Sequence, residues 1–134
     1  MTRSRLLAAL ALASTLAAGT ALAAGSQDTL LAGYVAAAGA PASAARGEAF
    51  FKATHTGGKP DTASCPVCHT ADPRSTGRTR AGKPIEPMAV SANPARFTDP
   101  AKVEKWFRRN CNSVLGRECT AAEKADVVAW LIGQ

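Results

Sequence analysis

Cys65-Pro66-Val67-Cys68-His69 constrains this chain more than any other stretch of it. Two thiols three positions apart, followed at once by an imidazole, form the attachment sequence for c-type haem. The thiols add across the haem vinyl groups and become thioethers. The adjacent His then reaches the iron from one face and leaves the other face to be decided. Two other readings compete. A thioredoxin-type thiol pair wants a βαβ context, and no such pattern is visible. A zinc site wants a second ligand pair at suitable spacing. Cys111 and Cys119 are eight apart and no His accompanies them, which fits zinc poorly. The motif therefore predicts one covalently bound haem c per chain, at Cys65 and Cys68, with His69 on the iron.

The N-terminus has the form of an export signal. Arg3 and Arg5 make a positive start, Leu6 to Leu22 is apolar apart from small Ser, Thr and Gly, and Ala21-Leu22-Ala23 is an A-x-A cleavage site. Residues 1–23 are thus expected to be a signal peptide and residues 24–134 a single cytochrome c domain in the periplasm. No later segment is long and apolar enough to span a bilayer. An exported domain matures in an oxidising compartment, where the two thiols outside the haem motif are compatible with a Cys111–Cys119 disulfide. The whole chain carries 16 Lys and Arg against 10 Asp and Glu. Without Arg3 and Arg5 the remaining 14 basic groups leave a net +4. That mild excess suits an acidic protein partner. It is too small and too scattered for nucleic acid, and with 5% aromatic residues there is no platform on which bases could stack.

Periodicity predicts short helices. Asp28 reads as an N-cap, followed by Leu30, Leu31, Tyr34 and Val35 at helical spacing, with an end near Gly39-Ala40-Pro41. Ser43 caps a second helix through about Thr54, with Gly47 and Phe51 on one face. A Gly there would admit another helix closely, and the Phe would fill the space beside it. Residues 55–93 carry turn chemistry, a long irregular stretch that a bound haem would organise. Asp99-Pro100 opens a helix whose Val103, Trp106 and Phe107 are expected to be buried, with Lys102, Lys105, Arg108 and Arg109 solvated. It is expected to stop near Asn110-Cys111-Asn112. Thr120-Ala-Ala-Glu123 is a capping box for a last helix with Val127, Val128, Trp130 and Leu131 as its apolar face. The predicted fold is all-α, with several short helices around one haem and the terminal helices packed together.

The residues alone leave the far side of the iron open. Met88 is the only Met after residue 23 and lies 19 positions beyond His69. Met is the ordinary distal ligand of electron carriers, although monohaem cytochromes typically place it further along. His55, the other His, sits 10 positions before Cys65. Asn110 by itself reads as a helix C-cap.

Several segments together resemble the sphaeroides haem protein family of oxygen-binding cytochromes c. They are Ala32-Gly33-Tyr34, Gly57-Gly58-Lys59-Pro60-Asp61-Thr62, the haem motif, Arg80-x-Gly82-Lys83-x-Ile85-x-Pro87, Arg96-Phe97-Thr98-Asp99, Val103-Glu104-Lys105-Trp106, and Arg109-Asn110-Cys111-Asn112-Ser113-Val114 continuing to Gly116-Arg117-x-Cys119-Thr120. The resemblance spans residues 30–134 and implies a class I cytochrome c-like fold with short helices and long loops. It implies that Asn110, immediately before the first of two disulfide-bonded Cys, is the distal ligand. It further implies a dihaem cytochrome c or another redox protein as electron donor, a small diatomic gas as ligand, and at most slow reduction of oxygen or nitric oxide. An amide oxygen is a neutral, hard, weak donor that can hold ferric iron but binds ferrous iron poorly. Reduction is therefore expected to release Asn110 and admit dioxygen, nitric oxide, carbon monoxide or cyanide. The alternative is an ordinary carrier with Met88 or His55 on the iron and no open position.

Overall fold

In the computed structural model the backbone is described for residues 15–134 and the side chains from Gly25 onward, so most of the expected signal peptide lies outside the described residues. Five α-helices, one 3-10 turn and one minimal hairpin make up this part: α1 Thr15–Ala38, α2 Ala44–Lys52, the 3-10 turn Pro60–Thr62, α3 Pro66–His69, β1 Gly77–Arg78, β2 Pro84–Ile85, α4 Pro100–Leu115 and α5 Ala121–Ile132. The frame is all-α, as expected, with α1 and α2 both packed on α5.

Local signals place α5 and α2. Thr120 and Glu123 form the full capping box, and Val127, Val128, Trp130 and Leu131 are all buried. Ser43 accepts the Arg46 N–H at the start of α2. Gly47 has the role that the sequence predicted. A Cβ built there would lie 2.0 Å from the Asp126 carbonyl oxygen, so the two helix backbones touch. Phe51 fills the adjoining space, its ring 5.1 Å from that of Trp130. Asp126 is only 6% exposed. It accepts the Ser43 N–H at 2.6 Å and pairs with Arg46 at 2.7 Å. Burial alone would raise this carboxyl; the bonds from Arg46 and Ser43 outweigh it and hold the group below its ordinary range.

Three expectations are corrected. Asp28 is not a cap but an exposed residue inside α1, which begins by Thr15. The Ala- and Leu-rich stretch ahead of it is a strong helix former, so the helix propagates through the position. It ends at Gly39, in a left-handed conformation with φ 63°. α4 begins at Asp99-Pro100 as expected, Asp99 accepting the Lys102 N–H, but it does not stop near Asn110. Val114 extends the buried stripe of Cys111 by three residues, and Gly116, with φ 69°, supplies the left-handed cap. Finally, Trp106 is 45% exposed. Val103 and Phe107 of the same predicted face do pack against the core, whereas Trp106 lies outside it, under the guanidinium of Arg109 at 5.5 Å.

Glu104 ties α4 to two other helices. It accepts the Tyr34 hydroxyl of α1 at 2.6 Å and the Lys124 ammonium of α5 at 2.9 Å. Between α2 and α4 the chain is mostly irregular, as predicted. The β1–β2 ladder, Gly77 opposite Ile85 and Arg78 opposite Pro84, was not foreseen. Two residues per strand are too few for alternation to register.

Candidate haem site

Helix α3 is one turn long and presents the attachment sequence. Pro66 occupies its first position, where a fixed φ favours the helix and no donor is lost. The Cys68 and His69 N–H groups both bond to the Cys65 carbonyl, at 3.2 and 3.0 Å. This turn sets Cys65, Cys68 and His69 at i, i+3 and i+4, on one side. Strand β1 backs it closely. A Cβ on Gly77 would lie 2.1 Å from the Cys68 carbonyl oxygen, so only Gly fits.

The chemistry of the three side chains follows from burial. Cys65 and Cys68 are not bonded to each other. Burial pushes the Cys65 thiol up to about 11, and the neighbouring Cys68 adds to this. A redox-exchange cysteine shows the opposite, a lowered value and a ready thiolate. Burial also drives the His69 imidazole down to about 4, helped by the charge of Arg96. The ring is therefore neutral at pH 7. Its Nδ1 is buried without a hydrogen-bond partner among the described residues, and Phe51 stands 6.3 Å away, ring to ring. Two unpaired thiols and a neutral buried imidazole with an unsatisfied nitrogen are a donor set that fits covalent haem.

The other candidates are found in different places. His55 places Nε2 2.8 Å from the Phe50 carbonyl, and its ring packs on that of Phe50 at 4.8 Å. Met88 is half-buried against the core, and its N–H bonds to Pro73 at 2.8 Å. Asn110 lies inside α4, half-buried, five residues before the helix ends at Leu115. The C-cap reading of Asn110 is thereby excluded, because Gly116 has that place. The neighbouring Cys111 is bonded to Cys119, with Cα atoms 5.6 Å apart, and Cys119 immediately precedes the cap of α5.

Two features escaped the sequence. Arg96 is half-buried and donates to the carbonyls of Pro87, at 2.8 Å, and Glu86, while its charge acts on His69. Thr62 is buried and bonds across 51 residues to Ser113. The Gly57–Thr62 stretch was legible as turn chemistry, but no local pattern reveals what a turn rests on.

An all-α frame with a Cys-x-x-Cys-His turn of this chemistry defines a c-type cytochrome. A family model described as a domain of unknown function, DUF1924, matches residues 37–131. Cytochrome c-type protein SHP of Cereibacter sphaeroides is 58% identical over 134 residues, all of both chains. A structure of oxidized SHP, described as an oxygen binding cytochrome c, superposes with a TM-score of 0.79 and 63% identity, covering 81% of this chain and 96% of that one. A solution structure of Methylophilus methylotrophus cytochrome c'', concerned with the structural basis of haem-ligand detachment, gives a TM-score of 0.64 and 33% identity, covering 82% and 94%. The chain belongs to the sphaeroides haem protein family. Its cofactor is haem c, one per chain. No helix among the described residues is long and apolar enough to cross a membrane.

Proposed function

We propose that the protein is a periplasmic gas-binding cytochrome, exported by residues 1–23, with haem bound through Cys65 and Cys68, His69 on one side of the iron and Asn110 on the other. Haem supplies a one-electron couple and a coordination position at its iron. His69 serves as a neutral nitrogen donor, the form in which burial holds it. Asn110 serves as a weak oxygen donor that holds the oxidised metal, lets go when an electron arrives, and yields its place to dioxygen, nitric oxide, carbon monoxide or cyanide.

The observation that carries this reading is the setting of Asn110. It is in the body of a helix, next to a disulfide and released from capping by Gly116. Its carboxamide makes no hydrogen bond to another described residue. The rival donors have other contacts, His55 lying against the Phe50 carbonyl and ring and Met88 half-buried against the core. The oxygen binding of SHP and the ligand detachment of cytochrome c'' lend support from relatives. The proposed electron donor is a dihaem cytochrome c or another redox protein. The exposed Lys102, Lys105, Arg108 and Arg109 of α4 suit an acidic docking face on it.

The test is Asn110→Val in the haem-loaded protein. The ferric spectrum is expected to shift toward a five-coordinate, high-spin form, while the reduced wild type binds carbon monoxide at once. An unchanged ferric spectrum in the variant refutes Asn110 as ligand. Reduced wild type that stays low-spin and ignores carbon monoxide refutes the open position.

A further inference from the structure

The turn of residues 57–62 is closed directly onto the end of α4. A Cβ on Gly58 would lie 2.3 Å from the Ser113 carbonyl oxygen, and one on Gly116 would lie 2.1 Å from the Gly57 carbonyl oxygen. The two backbones are thus in contact with no side chain between them. Ser113 carries one of the last four carbonyls of α4, which have no partner within the helix. Two donors from the turn satisfy it: the Lys59 N–H at 2.7 Å and the Thr62 hydroxyl at 3.1 Å. The Thr62 and Ser113 hydroxyls also lie 2.8 Å apart, and Thr62 is only 7% exposed. Three residues after Thr62 the chain reaches Cys65, and three residues before Ser113 stands Asn110. One buried contact therefore joins the segment that attaches the haem to the helix that carries the proposed distal donor.

We infer that Thr62 is a positioning residue for Asn110: through Ser113 its hydroxyl fixes α4 in the register at which Asn110 reaches the iron. This rests on Asn110 being the ligand. A weak donor gains little from its own bond and depends on being held in place. Without the Thr62 hydroxyl the end of α4 loosens and Asn110 spends more time off the metal. An added ligand for ferric iron competes with Asn110, so its apparent affinity scales with the fraction of molecules in which Asn110 is off.

The experiment titrates ferric holoprotein with imidazole and records thermal melting beside it. Thr62→Val keeps the shape of the side chain and removes its hydroxyl, and is expected to tighten imidazole binding about tenfold. Thr62→Ser restores a hydroxyl and is expected to return the affinity to within about twofold of wild type. Equal affinity in Thr62→Val and wild type overturns the inference, even if the melting temperature falls, because Thr62 would then only stabilise the fold. Equal behaviour of the Val and Ser variants also overturns it. Asn110→Val separates the two levels. If it alters the ferric spectrum while Thr62→Val leaves imidazole binding unchanged, positioning fails and ligation stands. If Asn110→Val alters nothing, both fail.

Discussion

Gly47→Ala tests the packing that the whole frame depends on. The new Cβ would lie 2.0 Å from the Asp126 oxygen, 2.4 Å from its carbonyl carbon and 2.8 Å from the Val127 nitrogen. All three are backbone atoms, so no side-chain rotation relieves the clash. Reaching an ordinary contact of 3.4 Å requires α2 to withdraw from α5 by about 1.4 Å. That movement stretches the bonds from Ser43 and Arg46 to Asp126 and opens the Phe51–Trp130 contact. Overpacking costs typically about 1–3 kcal/mol, and the weakened clamp adds about 1 kcal/mol. Alanine returns about 0.5–1 kcal/mol through better helix propensity. The net loss is about 1–3.5 kcal/mol, which for a domain of this size lowers the melting temperature by about 4–14 °C. Circular dichroism melting of the holoprotein measures it. Gly33→Ala is the control, since Gly33 is exposed on α1 and an added Cβ meets nothing within 4 Å. That variant is expected to melt no lower than wild type. A melting point for Gly47→Ala within about 2 °C of wild type would refute the claim that these helices touch backbone to backbone.

The Asp126 carboxyl is held below its ordinary value, so its contribution to stability is present above the unfolded-state pKa and is lost as the pH falls through the lower folded-state value. Urea melts of wild type and Asp126→Asn are expected to differ by a constant amount from pH 7 down to about pH 5 and to converge below about pH 4; a gap that persists unchanged to pH 3 would contradict the pairing with Arg46 and Ser43. Replacing Cys111 and Cys119 together by Ser opens a nine-residue loop and is expected to cost roughly 2–3 kcal/mol in the same assay. Haem staining on a denaturing gel stays positive in that variant, because the bridge and the attachment use different thiols. Loss of the stain would mean that the four cysteines had been paired wrongly.

What could be read from the sequence was whatever the chain encodes locally. Ser43, Asp99 and Thr120 announced three helix starts, because a cap acts within four residues of itself. The haem motif was legible for the same reason, its chemistry being complete in five consecutive residues. The end of α4 was missed because Asn110 and Asn112 look like stops, whereas the left-handed Gly116 and the buried Val114 decide the matter beyond them. Trp106 was misjudged because periodicity identifies a face without supplying a partner for it. Asn110 drew attention only through its family resemblance, since an amide has no composition signal as a metal donor. Thr62 could not have been found locally, as its partner stands 51 residues away.

Glu104 gives α4 a fixed end as well. It binds the Tyr34 hydroxyl and the Lys124 ammonium, and Lys124 in turn lies 5.7 Å from the centre of the Tyr34 ring. The opposite end of the helix is fastened at Ser113. On the proposed reading of Asn110 as the distal donor, a helix pinned at both places holds its backbone still, and the amide is left with rotation about its own two side-chain bonds. Release by rotamer alone would displace few atoms and keep the nuclear rearrangement accompanying each electron small.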